Sequence, residues 1–379
     1  MMELGLFGLF ALTLLGLAVF PKHALTVTLA GLAAIATAKV GFMGFRLLPH
    51  LLHEAPLLLN LLGLLTGFAL LADHFEGSRV PLLMPRWLPD DWKGPLVLLI
   101  MVFLLSAFLD NIAAALIGGT VALTVFRGRL HTGYLAALVA ASNAGGAGSV
   151  IGDTTTTMLW ISGVSVGEVL EAYAGSATAL LCFGLIASRQ QDRHQRIQAH
   201  EPEGVVVDRA ELAVAVAILV GAVLANLALG FPAAGVWAAI LLGTPFTRTH
   251  WRVLPPALRG AGMLLALVLC ASLMPVHRLP AASWITTLAL GFVSSVFDNI
   301  PLTRLALLQG GYDWGFVAYA VGVGGSMIWF GSSAGVALAG LFPQARSVGA
   351  WCKAGWHVAL AYLLGYLVML ACVGWHPHA

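Results

Sequence analysis

The amino-acid sequence predicts an all-α polytopic membrane protein built from two inverted-topology repeats. Hydrophobic residues make up 59% of its 379 residues and charged residues only 9%, and the mean hydropathy is +0.91. A soluble domain, in which about 25% of residues are charged, could not cover its surface with so few polar groups. The chain also contains about ten apolar stretches long enough to span a bilayer, and a short polar motif occurs once in each half.

The composition argues against several other classes of protein. The four cysteines lie in or beside apolar runs without metal-ligand spacing, and CxxC, Walker and paired-histidine zinc motifs are missing from the sequence. We therefore expect no enzyme activity and no cofactor. The sequence has no basic, aromatic surface pattern for a nucleic acid. The first segment lacks the positive n-region of a signal peptide, so we expect it to be kept as a helix.

Hydropathy divides the chain into two similar series of segments. The first half has predicted spans near 3–20, 24–45 and 55–72, an apolar run at 95–126, an irregular run at 134–162 and a span at 166–188. The second half has predicted spans near 212–229, 232–247 and 260–275, a run at 283–309, an irregular run at 314–341 and a span at 355–374. We predict a first repeat at 1–188, a polar linker at 189–211 and a second repeat at 212–379. The segment Asp73–Glu76 is expected in a solvated loop.

The repeat is indicated by a motif at equivalent places in the two halves. The segment SAFLDNI at 106–112 matches SSVFDNI at 294–300, and a glycine-rich segment follows each of them. The two runs that carry this motif are expected to be re-entrant hairpins. If each run crossed the membrane once, the loop Lys and Arg residues would divide 7 to 10 between the sides. If each run turns back, fifteen, including Lys22, lie on one side and only Arg46 and Arg278 on the other.

This charge distribution fixes the expected orientation, because cytoplasmic loops carry an excess of Lys and Arg. The 189–211 linker is then cytoplasmic and both termini are periplasmic, in a protein of the bacterial inner membrane. One hairpin enters from each side, so the halves have inverted topology, as in many secondary transporters.

Three aspartates lie in the middle of apolar runs, at Asp110, Asp153 and Asp298. Each intramembrane carboxylate costs about 2.5–3.5 kcal/mol on insertion scales, so three of them indicate a function. The alternative is a structural role, in which an aspartate caps a broken helix or pairs with Arg304 or Lys39. Asp and Asn favour turns, and the Asp-Asn pairs fall midway along the two runs, where each hairpin must turn.

The segment at 143–157 is not expected to form a continuous helix, because it contains four glycines and then four consecutive threonines. Unwound carbonyls, hydroxyls and a carboxylate form an oxygen-rich shell that suits a hard cation. We predict a site for a hard cation from Asp110, Asn111 and Asp153. The counterpart segment at 322–335 has serine in place of the aspartate. Close helix packing remains an alternative explanation for the glycines.

At these motifs the sequence resembles the NhaD-type sodium/proton antiporters of the ion transporter superfamily. The resemblance rests on SAFLDN, GGAGSVIGDTTTTMLW, FDNIPL and GGSMIWFGSSAGVA, and covers roughly 95–165 and 285–340. It implies an inverted-repeat fold with an elevator-type transport domain, and Na⁺ as the hard cation at Asp110, Asn111 and Asp153. The cation- and proton-binding residues would be Asp110, Asn111, Asp153, Thr155, Thr156, Asp298 and Asn299. The supporting residues would be Ser106, Asn143, Gly145, Gly146, Ser149, Thr154, Ser294, Ser326, Ser332 and Ser333.

The expected function is exchange of Na⁺ (or Li⁺) for H⁺, in which both ions compete for one set of oxygens. The main alternative is a sodium-coupled anion or carboxylate transporter of the same fold. The DN sequence at both hairpin tips favours cation exchange, since carboxylate symporters of the superfamily carry SNT-like tips. An intramembrane aspartyl protease is disfavoured because Val150 breaks its GxGD pattern, and a non-transporting scaffold protein is the last alternative. The expected partners are small cations and the lipid bilayer; the resemblance leaves a homodimer open.

Overall fold

The computed structural model describes residues 2–20, 23–198 and 204–377, and these ranges contain eighteen α-helices and no strand. Five of the helical segments are long and apolar enough to cross a bilayer, or six if the bent pair at 348–372 counts as one span. The predicted fold class is confirmed at this level: the chain is an all-α, multi-pass membrane protein. Lys22 and the linker residues 199–203 lie outside the described residues.

The first three helices are α1 Met2–Val19, α2 Ala24–Met43 and α3 Leu47–Gly77. With 31 residues, α3 is roughly 46 Å long, well beyond the predicted span at 55–72. The expectation of a solvated loop at Asp73–Glu76 is wrong, because this segment is the last part of α3. His74 is buried there, and its Nδ1 lies 2.5 Å from Oε2 of Glu211. A partner that is distant in sequence therefore keeps this polar segment helical.

Each apolar run that carries the DN motif is broken at the motif into two short helices. The run at 95–126 forms α4 Lys93–Ser106 and α5 Asn111–Val125, which pack against each other. The run at 283–309 forms α13 Trp284–Ser294 and α14 Asn299–Gln309. The breaks are alike, because the N-cap residues Asp110 and Asp298 have nearly equal dihedral angles, φ −53°, ψ 141° and φ −54°, ψ 142°. None of the four helices reaches the roughly 20 residues that a span needs.

The two irregular runs are also broken in matching ways. The run at 134–162 forms α6 Thr132–Ala147 and α7 Thr154–Ile161, and the run at 314–341 forms α15 Trp314–Gly324 and α16 Ser333–Leu341. Asp153 and Ser332 are the residues before α7 and α16, and both are extended, at φ −143°, ψ 147° and φ −139°, ψ 153°. The sequence predicted both breaks from the glycine-rich segments.

Two glycines explain how the broken helices approach the hairpins. A Cβ atom on Gly145 would lie only 2.0 Å from the carbonyl oxygen of Phe103, and one on Gly324 only 2.4 Å from that of Gly291. Any side chain at these positions would push the helix away from the first arm of the hairpin. Gly145 and Gly324, which lie at equivalent places in the two halves, therefore allow the close helix packing that was the alternative explanation for the glycines.

The remaining helices complete two groups. They are α8 Val166–Leu170, α9 Ala172–His194, α10 Arg209–Leu229, α11 Pro232–Gly243, α12 Leu254–Ser272, α17 Val348–Ala354 and α18 Trp356–Cys372, with short 3-10 turns such as Val80–Trp87. Helices α1–α3 pack with α10–α12 and form one group, which we call the scaffold. The hairpins and broken helices pack with α9 and α18 and form the other, the core group. The two groups meet where α7 and α14 contact α3 and α12.

Candidate functional site

A buried hydrogen-bond network connects the first hairpin tip with the first broken helix. The Nδ2 atom of Asn111 donates to Oδ1 of Asn143, at 3.0 Å, and to Oδ1 of Asp153, at 3.1 Å. All three side chains are at least 96% buried. Because both acceptors are oxygens, the amide nitrogen of Asn111 must face them. The three predicted site residues are thus in direct contact, although 42 positions separate the first from the last.

The same network continues into the second half of the chain. The Nδ2 atom of Asn143 donates to Oγ of Ser326, at 2.9 Å, and to Oγ of Ser332, at 3.0 Å. The Nδ2 atom of Asn299 donates to the other carboxylate oxygen of Asp153, at 3.3 Å. Asp153 therefore accepts one hydrogen bond from each hairpin tip. Predicted residues from both halves of the chain therefore belong to one buried hydrogen-bond network.

Two of the three aspartates face one small cavity. Asp110 and Asp153 line a cavity of about 50 Å³, together with Thr154 and the α3 residues Leu64, Leu65, Phe68 and Ala69. A water needs roughly 10–15 Å³ by this measure, so the cavity can hold a small cation with water. The hydroxyl of Thr154 lies 3.3 Å from Oδ1 of Asp153. Within the described ranges, no hydrogen bond reaches the buried Oδ1 of Asp110.

This arrangement has the chemistry of a site for a hard cation. Carboxylate and hydroxyl oxygens are the ligands that such ions prefer. Two carboxylates in one buried cavity repel each other unless a cation or a proton offsets their charge. Across the described residues, no three His, Cys, Asp or Glu side chains cluster as they would around a resident metal. A cation bound here would rely on the two carboxylates with hydroxyl, amide and backbone oxygens.

Asp298 lies apart from this cavity. Its Oδ1 accepts a hydrogen bond from the backbone N–H of Ile300, at 3.1 Å, so it caps α14. Its Oδ2 accepts one from the hydroxyl of Ser333, at 3.3 Å. Asp298 and Ser333 line a second cavity of about 280 Å³ with Ser332 and Trp329. The capping role that was an alternative for the three aspartates is therefore seen for Asp298.

The expected ion-pair partners of Asp298 are engaged elsewhere. The Nη2 atom of Arg304 lies 2.6 Å from Oε1 of Glu54, and Nζ of Lys39 donates to the backbone oxygen of Leu273, at 2.6 Å. Glu54 is a buried residue that the sequence analysis did not single out. In the sequence, Glu54 is recognisable only as a carboxylate next to an apolar span. Its partner Arg304 is 250 positions away, so the local sequence does not indicate the ion pair.

The threonines and serines of the first broken helix mainly stabilise its unwound segment. The hydroxyl of Thr156 donates to the backbone oxygens of Ser149, at 2.5 Å, and Asp153, at 2.9 Å. The hydroxyl of Ser149 donates to the backbone oxygen of Ala107 in the first hairpin tip. Thr155 is fully buried beside them. These bonds satisfy carbonyl groups that the missing helical turn leaves free.

The other supporting residues hold the hairpin arms. The hydroxyl of Ser294 donates to the backbone oxygen of Val321, at 2.7 Å, whereas that of its equivalent Ser106 is buried without a hydrogen bond to any described residue. The backbone oxygen of Gly145 accepts a hydrogen bond from Tyr173, at 3.0 Å. That of Gly146 lies 3.4 Å from the Thr156 hydroxyl.

Comparison with known proteins agrees with the resemblance that the motifs predicted. No family model matches the chain. It is 27% identical over 378 residues to sodium/proton antiporter 1 of Arabidopsis thaliana, an alignment that covers 87% of this chain and 62% of that protein. It is 27% identical to sodium/proton antiporter 2 of the same plant over 323 residues, which cover 71% of this chain and 72% of that protein.

A bacterial protein is similar as well. The chain is 26% identical over 304 residues to the Na⁺/H⁺ antiporter NhaD of Vibrio parahaemolyticus, with 63% of this chain and 71% of that protein covered. The chain spans about three fifths of the length of the first plant relative. The similarity to NhaD-type sodium/proton antiporters is confirmed, and all three relatives are named as transporters.

Proposed function

We propose that this protein is a secondary active transporter that exchanges Na⁺ (or Li⁺) for H⁺ across a membrane. The observation that carries the proposal is the pair Asp110 and Asp153, which face one buried cavity at the point where both hairpin tips meet. The names of the three relatives point to the same pair of ions.

Exchange follows from competition for the same carboxylates. A cation binds when Asp110 and Asp153 are both ionised, because their combined negative charge then offsets the cost of removing its water. A proton on either carboxylate removes that charge and releases the cation. In this scheme Asn111 and Asn299 are positioning residues, because their amide N–H groups hold Asp153 in place. The hydroxyl of Thr154 supplies a further oxygen.

We further propose an inverted repeat of 1–188 and 212–379, with 189–211 between them. The matching backbone angles before α5 and α14, and before α7 and α16, support this repeat. In an elevator-type cycle the core group would move against the scaffold and expose the carboxylates on alternate sides. The orientation with periplasmic termini, the bacterial inner membrane and a homodimer belong to the same proposal.

The chemistry of the cavities disfavours the anion-carrier alternative. Among the described residues that line the Asp110 and Asp298 cavities, none is Lys, Arg or His. An anion in either cavity would face a carboxylate without a cationic partner.

Proton flux in proteoliposomes tests the proposal. A pH gradient is imposed, and Na⁺, Li⁺ or K⁺ is added while an internal dye reports pH. We expect Na⁺ or Li⁺ to dissipate the gradient in the wild type and in Asp91→Asn, an exposed control. Asp110→Asn and Asp153→Asn should fold but lose this response. Full activity in both variants would overturn the site, and no response to any cation in the wild type would overturn the function.

A further inference from the structure

A wide cavity of about 790 Å³ lies between α3 and α5, on the side of the molecule where the linker runs. Its α3 wall includes Ala69, Asp73 and Glu76, and its α5 wall includes Thr120. Val205 of the linker also lines it. The linker is fixed there, because the N–H of Asp208 donates to the backbone oxygen of Ser78, just after α3. We call this space the linker-side vestibule.

The vestibule and the carboxylate cavity share one wall residue. Ala69 lines both of them. From Ala69 the vestibule follows one face of α3 through Asp73 and Glu76, which are four and seven residues further on and therefore lie one and two turns away. In the other direction Leu65 is one turn away and lines the carboxylate cavity. A small residue thus separates the site from a space about sixteen times larger.

The charges around the vestibule suit a cation. Asp73 and Glu76 are the titratable residues among its described lining residues, and both are acidic. Nδ1 of His250 faces Oδ2 of Asp73 at 2.9 Å, and Glu76 is exposed. A cleft of one sign of charge raises the local concentration of the opposite ion.

The other end of α3 is held to the core group. Glu54 lies fifteen residues before Ala69, which is roughly 22 Å along the helix. Its carboxylate pairs there with Arg304 of α14, and both side chains are almost fully buried. The scaffold and the core group are therefore joined by an ion pair at one end of α3 and separated by the vestibule at the other.

We infer that the linker-side vestibule is the water-filled route by which the cation reaches Asp110 and Asp153, with Ala69 at its narrowest point. Asp73 and Glu76 attract cations at its outer end. This inference rests on the proposed function and adds to it a specific path and the side to which the site opens in this conformation.

Thiol labelling tests the route without a transport measurement. Single cysteines are introduced at Thr120, which lines the vestibule, and at Leu123, an exposed residue of the same helix that does not line it. All four native cysteines are replaced by alanine. A membrane-impermeant thiol reagent is added from the linker side. We expect Thr120→Cys to react at least about tenfold faster than Leu123→Cys, because only a hydrated thiol ionises readily. Equal or absent labelling would overturn the route.

The narrowest point is tested at Leu65, which lies beyond Ala69. We expect Leu65→Cys to be labelled from the linker side in the wild-type background and to be protected by Ala69→Trp, while Thr120→Cys stays reactive in both. Labelling of Leu65→Cys that Ala69→Trp leaves unchanged would contradict the proposed path. If labelling follows expectation but the proteoliposomes show no Na⁺-dependent proton flux, the route stands and the proposed function fails.

Discussion

Asp153 accepts hydrogen bonds from two asparagines that come from different halves of the chain, Asn111 and Asn299. A buried carboxylate that receives a donor on each oxygen is held in one orientation, because hydrogen bonds to a charged group are the strong ones. Asp110, on the other side of the cavity, is left with a free buried oxygen in the described structure. The two carboxylates therefore differ: one is positioned and the other is available to an ion.

At this scale we predict that the Na⁺ affinity falls as the pH falls. Protons and the cation compete for Asp110 and Asp153, so binding releases protons and the dissociation constant rises with acidity. If both carboxylates lose a proton, the logarithm of the dissociation constant falls by up to about two for each unit of pH. In Asp110→Asn, whose amide mimics a protonated carboxylate, we expect no measurable Na⁺ binding at any pH. Calorimetric titration with Na⁺ across a pH series measures the wild-type slope, and an affinity that is independent of pH, or Na⁺ binding that Asp110→Asn leaves unchanged, would contradict a shared site.

The sequence was sufficient to find the residues whose signal is local. An aspartate within an apolar run carries a large insertion cost, so Asp110 and Asp153 could be proposed as site residues from their position in the hydropathy pattern. The central place of Asn143 could not, because its partner Ser326 is 183 positions away. Glu54 was missed for the same reason. A pairing between distant segments leaves no mark on the local pattern of either.

The broken helices depend on backbone contact at matching positions in the two halves. A Cβ on Gly145 would lie 2.0 Å from the oxygen of Phe103, whereas one on Gly340, in α16, would meet nothing within 4 Å. Both glycines lie near the C-terminal end of a helix, but only Gly145 is packed against another backbone segment. Substituting each by alanine therefore distinguishes the effect of packing from the intrinsic preference of a helix for alanine.

We therefore predict opposite effects for the same substitution. Gly340→Ala should be neutral or stabilise the protein by up to about 1 kcal/mol, the difference between Gly and Ala in a helix. Gly145→Ala should lower the melting temperature, because α6 must move away from the hairpin. It should also weaken Na⁺ binding, because Asn143 lies two residues earlier. Thermal unfolding in detergent checks this, and a Gly145→Ala protein as stable as Gly340→Ala would contradict the contact.

The ion pair between α3 and α14 gives a second prediction for the elements. Glu54→Gln leaves the buried Arg304 without a counter-charge, which costs about 3–5 kcal/mol. The double variant Glu54→Gln/Arg304→Gln removes both charges and should recover a large part of that loss. Asp91→Asn breaks an exposed pair with Lys93 and should leave the melting temperature unchanged. A double variant no more stable than Glu54→Gln would show that the charges are not coupled.

In the whole molecule, the two groups of helices contribute different parts of the site. The scaffold provides the α3 wall of both the vestibule and the carboxylate cavity, while the core group carries the carboxylates. Hydropathy and the positive-inside count predicted the order of the segments. They could not predict that α3 continues to Gly77, because the helix is extended there by contacts with α10 and the linker. That extension places Asp73 and Glu76 at the mouth of the vestibule.

Neutralising this acidic mouth should change how fast cations are captured and leave the chemistry at the carboxylates intact. In Asp73→Asn/Glu76→Gln we expect the KM for Na⁺ to rise several-fold at low ionic strength with kcat unchanged, since the pair raises the local cation concentration without binding the ion tightly. Added choline chloride should reduce the difference, because at about 0.15 M salt a charge is screened within about 8 Å. Asp91→Asn, which removes an exposed carboxylate outside the vestibule, should match the wild type. A fall in kcat, or a KM difference that persists at high salt, would place the two acids in the transport machinery itself, and an unchanged KM at low salt would show that cations take another path.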